Sequence, residues 1–143
     1  MELLKFEKLK ISILVPTFNR IYYLEQCLQS CINQSLDPFE ICIGDDSTND
    51  ESKRYISNLA KNYPIKYVKN NPPLGQAKNV NSLIKNAQGD YICLIHDDDK
   101  LENDCLEKLS LIFNQNPNVI FSFGKQYIIS CDGLVMKKES IGL

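Results

Sequence analysis

The chain has 143 residues, of which 43% are hydrophobic and 24% are charged, and its formal net charge is −2. This composition is typical of a globular protein and argues against a disordered or fibrous one, and the length suits one domain. Because 16 Lys and Arg are balanced by 18 Asp and Glu without a long basic run, a nucleic-acid partner is not expected.

Short apolar runs alternate with stretches of helical periodicity along most of the chain. The apolar runs predict four strands, at Ile11–Val15, at Ile41–Ile43 with its flanks, at Ile65–Val68 and at Tyr91–Ile95. Apolar residues at the spacing of one helix face follow each of them, within 24–32, 55–59, 80–87 and 101–113. A capping-box pattern at 48–51 marks the start of the second helix.

From Val119 onward the pattern of the sequence changes. Val119–Phe123 reads as a fifth strand, and the Asp132-Gly133 step between Tyr127–Ser130 and Leu134–Lys137 favours a hairpin turn. The whole pattern predicts an α/β fold, with a Rossmann-like, doubly wound, mostly parallel sheet, helices on both faces and a C-terminal hairpin. No linker or repeat interrupts it, so residues 1–143 are expected to form a single domain.

Acidic residues collect where the predicted strands end. Parallel sheets bind ligands outside the carboxyl ends of their strands, which points to residues 16–20, 44–47 and 96–99. Neighbouring carboxylates repel one another unless a cation compensates, and oxygen ligands favour Mg²⁺ or Mn²⁺. A magnesium site usually adds substrate phosphates to one or two carboxylates, so a phosphorylated ligand is expected. The alternative is that Asp97–Asp99 form only a solvated loop before a helix beginning near Glu102 or Asn103.

Four segments resemble, in order and separation, the successive motifs of family 2 glycosyltransferases, which are enzymes of the GT-A fold. The segments are Ile13–Arg20, Ile43–Asp50, Gly75–Asn79 and Gly89–Asp99, and the resemblance covers about residues 11–125. It implies a nucleotide-sugar-binding domain that uses Mn²⁺ or Mg²⁺.

The resemblance also implies roles for individual residues. Pro16, Thr17 and Phe18 would hold the nucleobase and ribose, with Phe18 stacking on the base. Asp46 would accept a hydrogen bond from the base. Because an ionised carboxylate only accepts, Asp46 suits a base with a ring N–H such as uracil, thymine or guanine better than cytosine. The alternative for Phe18 is a buried core side chain, and Asp45 is expected to cap the strand end.

The remaining roles concern ribose, diphosphate and metal. Asp97 matches the residue that contacts ribose, and Asp98 matches the ligand of the metal that bridges the diphosphate. Lys78 stands where the family often has an arginine, near the diphosphate or the base, although a solvent-exposed lysine without a ligand is an equal alternative. Two roles are also open for Arg20, which would either contact a phosphate or form a surface ion pair.

Two departures from the family pattern bear on the site. The loop after Asp46 lacks the usual glycine, so Ser47 or Asn49 is expected to accommodate its path, Asn being more tolerant of left-handed backbone. His96 stands where many relatives have the first Asp of a DxD motif, and it is expected to orient the loop.

The implied activity is transfer of a sugar, with inversion, from a nucleotide-diphosphate donor such as a UDP-sugar to a hydroxyl of a sugar or lipid-linked acceptor, in cell-surface polysaccharide synthesis. In the family the catalytic base and the acceptor surface lie beyond the segment seen here, so the chain is expected to stop short of them. The alternative is a non-catalytic sugar-nucleotide-binding module or inactive fragment. A phospho-accepting receiver domain fits less well, because Pro16-Thr17 rather than paired acids follow the first strand.

Cysteine usage and apolar run lengths suggest where the protein acts. Six scattered cysteines without a CxxC pair suit free thiols in a reducing cytoplasm, and no apolar run is long enough to span a membrane. We therefore expect a cytoplasmic protein at the membrane face. The hairpin is expected to have nothing to pack against on its far side. This would leave an exposed apolar patch beside the nucleotide-sugar site and lead to self-association, as a homo-oligomer, or to disorder of the last residues.

Overall fold

The computed structural model describes residues 8–139, and within them the chain forms ten regular elements. These are β1 (Ile11–Thr17), α1 (Ile21–Ile32), β2 (Glu40–Asp45), α2 (Glu51–Leu59), β3 (Ile65–Lys69), α3 (Gln76–Asn86), β4 (Tyr91–Leu94), α4 (Cys105–Gln115), β5 (Gln126–Ile129) and β6 (Val135–Glu139). The strand and helix alternation predicted for the first four pairs is confirmed. None of the helices within residues 8–139 has the length and apolar character needed to cross a membrane.

The first four strands form one parallel sheet in the order β3-β2-β1-β4. The chain adds β2 and β3 on one side of β1 and then crosses to the other side to add β4. The strand order therefore reverses beside β1, which is where ligands bind in folds of this kind. Register places Thr17 at the end of β1 beside Asp45 at the end of β2.

Helices cover both faces of this sheet, as predicted. Ile11, Ile13 and Val15 of β1 lie in a core cluster that includes buried residues of α1, α2 and α4. Leu14 lies in a second cluster on the opposite face, against Leu83 of α3. Alternate residues of one strand thus serve two cores, as the two-residue period of a strand requires.

Helix α3 packs closely on the end of β2 at Gly44. A Cβ atom at Gly44 would lie 2.0 Å from Asn79 Oδ1, so only glycine leaves room for this buried side chain. Asn79 uses the space to donate from Nδ2 to the carbonyl oxygen of Gly44, at 2.8 Å. The first turn of α3 is thereby fixed to the carboxyl edge of the sheet.

Two helix starts differ from prediction. Helix α4 begins at Cys105 rather than near Glu102 or Asn103. The buried Gln34 amide explains this, because its Nε2 donates to Glu102 O and its Oε1 accepts the Leu106 N–H, which serves as a cap from another helix.

At α2 the predicted capping box does not form, since both the N–H and the hydroxyl of Thr48 donate to Asn19 Oδ1. The Glu51 N–H is bound by Asn49 Oδ1 instead.

Val119–Phe123 is not a strand, which corrects the prediction of a fifth strand there. Its composition suits a strand, but no strand within residues 8–139 pairs with it. Ile120 is 92% exposed and Phe121 is 74% exposed. A strand needs a partner for its backbone groups, and apolar composition alone does not supply one.

The C-terminal hairpin is present, as β5 and β6 pair antiparallel and Gly133 in the turn has a φ of 79°. The turn of the hairpin contacts α1. Gln26 of α1 donates to Cys131 O at 3.2 Å, and Tyr22 donates to Asp132 Oδ1 at 3.4 Å. The expected exposed apolar side chains are observed on the hairpin strands and before them. The prediction about the last residues, 140–143, lies outside the described part of the chain.

The six cysteines are free thiols. Cys27 and Cys31 are buried on one face of α1, and Cys42 is buried in β2, where thiols pack as small apolar side chains. Cys131 in the hairpin turn is exposed.

Candidate functional site

Thr17 joins the loops that carry the predicted site aspartates. Its carbonyl oxygen accepts the Asp46 N–H at 3.0 Å, and its hydroxyl donates to Asp97 Oδ2 at 2.7 Å. Asp98 follows Asp97 directly. Asp46, Asp97 and Asp98 therefore lie at the same carboxyl edge of the sheet, although about 50 residues separate the first from the others.

Asp46 is almost fully buried and binds the loop that leads into α3. Its Oδ1 accepts from Asn70 Nδ2 at 2.8 Å and from the Leu74 N–H at 3.1 Å. Its Oδ2 accepts the Gly75 N–H at 2.8 Å. An ionised carboxylate offers about four acceptor positions, so one remains for a ligand donor. Sequence reasoning missed this use of Asp46, because nothing local connects residue 46 with 70–75.

Asp45 has the structural role that the sequence predicted. It is fully buried, accepts the Ser47 N–H at 2.7 Å, and binds the Tyr67 hydroxyl and Lys69 Nζ of β3. Burial and the hydrogen bond to Asp45 raise the pKa of the Tyr67 phenol, which therefore stays protonated as a donor. Asp45 thus fixes the end of β2, while Asp46 faces the loop.

The turn between β1 and α1 presents Phe18 to solvent. Pro16 and Thr17 are buried, whereas Phe18 is 52% exposed, so the alternative that it is a core side chain is excluded. Asn19 has a φ of 53°, and within residues 8–139 it is the non-glycine residue with a left-handed backbone. The expectation that Ser47 or Asn49 would need that conformation is not met. Instead Ser47 Oγ accepts the Asn19 N–H at 2.8 Å, which holds the two loops together.

The loop His96–Asp99 carries three consecutive carboxylates. It turns through a bond from the Asp99 N–H to His96 O at 3.1 Å. Burial raises the pKa of Asp97, against the opposing effects of Thr17 and Arg20, and burial together with Asp98 raises the pKa of Asp99. Burial is the main cause of both shifts, and Asp97 is buried, which argues against the interpretation of residues 97–99 as a merely solvated loop.

Arg20 approaches this loop from the start of α1. Its Nη1 lies 2.6 Å from Asp98 Oδ2 and 3.6 Å from Asp97 Oδ1. Of the two readings of Arg20, the structure shows the ion pair.

The donor set of the loop suits a divalent cation that substrate phosphates help to hold. Asp98 and Asp99 are exposed and offer only oxygen, which Mg²⁺ and Mn²⁺ prefer. Within the described residues no group of three or more His, Cys, Asp or Glu forms a complete metal site. One or two carboxylates completed by a diphosphate is the usual arrangement for Mg²⁺, so the residues fit such a cation.

Lys78 is exposed in the first turn of α3. It follows Gly75, whose φ is 79° and whose N–H is bound by Asp46, and it precedes the buried Asn79. Asp46 therefore positions the helix start that carries Lys78.

A cavity of about 400 Å³ lies beside the acidic loop, within the size range of small-molecule sites. The hairpin contributes part of its wall, so it lies beside the acidic loop. The lining residues are Arg20, Tyr23, Gln26, Asp98, Asp99, Lys100, Ile129, Ser130 and Cys131. A groove of about 480 Å³ along α1 and Tyr55 includes none of the strand-end carboxylates.

Comparison with known proteins gives consistent matches. Residues 12–140 match the family described as Glycosyl transferase family 2. The chain is 35% identical over 114 residues to the GalNAc(5)-diNAcBac-PP-undecaprenol beta-1,3-glucosyltransferase of Campylobacter jejuni, covering 78% of this chain and 37% of that protein. It is 35% identical over 127 residues to an abequosyltransferase of Salmonella typhimurium, covering 85% of this chain and 37% of that protein.

Solved structures show the same fold. S. aureus TarS in complex with UDP-GlcNAc matches with a TM-score of 0.71 at 23% identity, covering 76% of this chain and 32% of that one. A mannosyltransferase from Pyrobaculum calidifontis in complex with GDP-Man and Mn²⁺ matches with a TM-score of 0.63 at 18% identity, covering 74% of this chain and 32% of that one. The chain spans little more than a third of the length of the two curated relatives named above.

Proposed function

The chain belongs to glycosyltransferase family 2 and has the GT-A fold, and from that premise we propose that it binds a nucleoside-diphosphate sugar for transfer of the sugar to an acceptor hydroxyl. The observation that carries the proposal is the double contact of Thr17 with Asp46 and Asp97. It brings the residues proposed for base and ribose recognition to the point where the strand order reverses.

The nucleoside would lie between Phe18 and Asp46. The half-exposed Phe18 ring is free to stack on a base, as the family resemblance suggests. The remaining acceptor position of Asp46 would bind a ring N–H, which favours a UDP donor over a CDP donor. Asp97 is already fixed by Thr17 and would accept from a ribose hydroxyl.

The diphosphate would lie over the exposed carboxylates and basic groups. Asp98, with support from Asp99, would hold Mn²⁺ or Mg²⁺, and Lys78 would place a positive charge near the diphosphate. A bound cation would neutralise charge that builds up on the departing diphosphate.

We also propose inversion, in which the acceptor oxygen displaces the diphosphate in one step and a general base takes the hydroxyl proton.

The acceptor is proposed to be a sugar or lipid-linked sugar. The relatives from C. jejuni and S. typhimurium are named as glycosyltransferases, the first with an undecaprenol-linked substrate, and this supports a role in cell-surface polysaccharide synthesis. A cytoplasmic location at the membrane face belongs to the same proposal.

A second candidate is donor binding without turnover by this chain alone. This candidate is supported by the small share of the two curated relatives' length that the chain spans, little more than a third. Measuring nucleotide binding and sugar transfer on the same preparation separates the two candidates.

The test of the proposed site is a calorimetric titration of UDP, with GDP and CDP as comparators, in Mn²⁺ and then in chelator. We expect UDP to bind more tightly than CDP, and chelator or the Asp98→Asn substitution to weaken UDP binding by about tenfold or more. Asp104→Asn is the matched control, because Asp104 pairs with Lys108 on α4 and lies outside the proposed site. Equal UDP affinity with and without metal would remove the cation from the mechanism.

A further inference from the structure

Arg20 binds the carboxylate that the proposed function assigns to the metal. The Arg20 Nη1 to Asp98 Oδ2 distance of 2.6 Å makes this a direct, charge-assisted hydrogen bond. Both side chains are about half exposed, so the pair is accessible to solvent ions. A cation bound at the same oxygen would have to take the place of the guanidinium.

The backbone around Arg20 aims the side chain at this loop. The preceding residue, Asn19, is held by Ser47 Oγ and in turn binds the Thr48 N–H. Arg20 itself is the N-cap residue of α1, and its carbonyl oxygen accepts the Leu24 N–H at 2.9 Å. The start of the side chain is therefore fixed on two sides, while its guanidinium reaches the acidic loop.

The negative charge of the loop explains why the Arg20 guanidinium stabilises it. Asp97, Asp98 and Asp99 are consecutive, and like charges at this spacing repel one another. Arg20 lies closest to Asp98 and also near Asp97, so its positive charge partly offsets the negative charge of both carboxylates. It also lines the cavity of about 400 Å³ with Asp98 and Asp99, so the guanidinium has space to move.

We propose that Arg20 is the resident counter-cation of Asp98, that it leaves Asp98 when a divalent cation is bound, and that it then binds the donor diphosphate. This inference rests on the proposed function. Its consequence is that the nucleotide-free protein binds metal weakly, because Arg20 competes, and that nucleotide strengthens metal binding by giving Arg20 a new anionic partner. Coupling of this kind is reciprocal between the two ligands.

The test measures Mn²⁺ binding directly, from the electron paramagnetic resonance signal of free Mn²⁺, with and without UDP. Without UDP, Arg20→Ala is expected to bind Mn²⁺ about two- to fivefold more tightly than the wild type, the range set by an exposed ion pair. UDP should strengthen Mn²⁺ binding less in Arg20→Ala than in the wild type, because the diphosphate contact is lost. Arg20→Lys keeps the charge and should lie between the two.

Lys108→Ala is the control, since it removes an exposed cation that pairs with Asp104. It should change neither the Mn²⁺ affinity without UDP nor the gain in Mn²⁺ affinity that UDP produces. Circular dichroism melting of each variant confirms that it is folded. If Arg20→Ala matches the wild type in nucleotide-free Mn²⁺ affinity, or shows the same gain with UDP, the inference is overturned and the proposed metal site stands. If the wild type binds no Mn²⁺ even with UDP, the proposed metal site fails and the inference fails with it.

Discussion

Thr17 shows how one residue assembles a site from distant parts of a chain. Its hydroxyl reaches Asp97 and its carbonyl oxygen reaches the Asp46 backbone, so both loops are held at fixed positions relative to β1. Hydrogen bonds to a charged group stabilise by about 1.5–3 kcal/mol, more than a neutral pair. Its two contacts follow from its place at the end of β1, beside the strands that carry both loops.

Phe18 gives a prediction at the same scale. Phe18→Ala should weaken UDP binding by about 1–3 kcal/mol, because stacking of a base on an aromatic ring is lost. Phe18→Tyr keeps the ring and should bind UDP nearly as well as the wild type. Because Phe18 is half exposed, neither change should alter the free energy of unfolding by more than about 0.5 kcal/mol. A UDP titration beside a urea melt measures both quantities, and an Ala variant that binds UDP normally would contradict the stacking role.

At the scale of elements, the contact of α3 with β2 decides where Lys78 lies. A methyl group at Gly44 would meet Asn79 Oδ1 at 2.0 Å and Leu83 Cγ at 3.2 Å. Gly44→Ala should therefore lower the free energy of unfolding by about 1–3 kcal/mol through overpacking. In the double variant with Asn79→Ala, the first clash disappears. The free energy of unfolding lost in the double variant should therefore be smaller than the sum of the losses in the Gly44→Ala and Asn79→Ala single variants. A double-mutant cycle by urea unfolding measures this, and strict additivity would contradict the contact.

At the opposite edge of the sheet, Glu40 of β2 joins β1, β3 and the segment that leads into β4. Its Oε1 accepts from Ser12 Oγ and the Gln88 N–H, both at 2.7 Å, and its Oε2 lies 2.6 Å from Lys66 Nζ. Burial alone would raise the pKa of Glu40. The bonds from Lys66, Gln88 and Ser12 outweigh burial and leave the pKa below the ordinary value of 4.5.

A pH dependence of stability follows from Glu40. Since its pKa is lower in the folded state, ionised Glu40 stabilises the fold above pH 4.5, and this contribution is lost as the pH falls through the folded pKa. Glu40→Gln should cost about 1–3 kcal/mol at pH 7. The gap between variant and wild type should narrow in acid, which urea melts at several pH values below 4.5 would measure. A gap that stays constant with pH would show that the charge of Glu40 is not involved.

At the scale of the whole molecule, apolar side chains remain exposed in the segment from residue 120 to residue 136. They lie before the hairpin, at Ile120, Phe121 and Phe123, and on it, at Leu134, Val135 and Met136. A large contiguous apolar patch is unusual on a soluble monomer. We therefore expect the chain to self-associate, with an apparent mass in light scattering that rises with concentration. Phe121→Gln should reduce the rise, and a mass that stays monomeric at every concentration would refute this expectation.

Local patterns in the sequence were sufficient for the order of β1 to β4 and of the helices that follow them. The alternation of apolar residues in β1 and the spacing of Leu24, Cys27, Leu28 and Cys31 on α1 reflect burial that each element experiences along its own length. The predicted strands then placed the acidic loops at one edge of the sheet, because carboxyl ends of parallel strands share that edge, and resemblance to the family assigned roles to their residues. These features depend on neighbours a few residues apart, which a sequence displays directly.

Tertiary structure decided the features that join residues far apart. Gln34 caps α4 from 72 residues away, and Arg20 pairs with Asp98 across 78 residues. Asp46 binds the loop at 70–75, and Val119–Phe123 stays out of any sheet within residues 8–139 for want of a partner. Hydrogen bonds and ion pairs of this kind depend on which side chains the fold brings within about 3 Å. Local periodicity carries no information about that distance, so only the folded chain determines it.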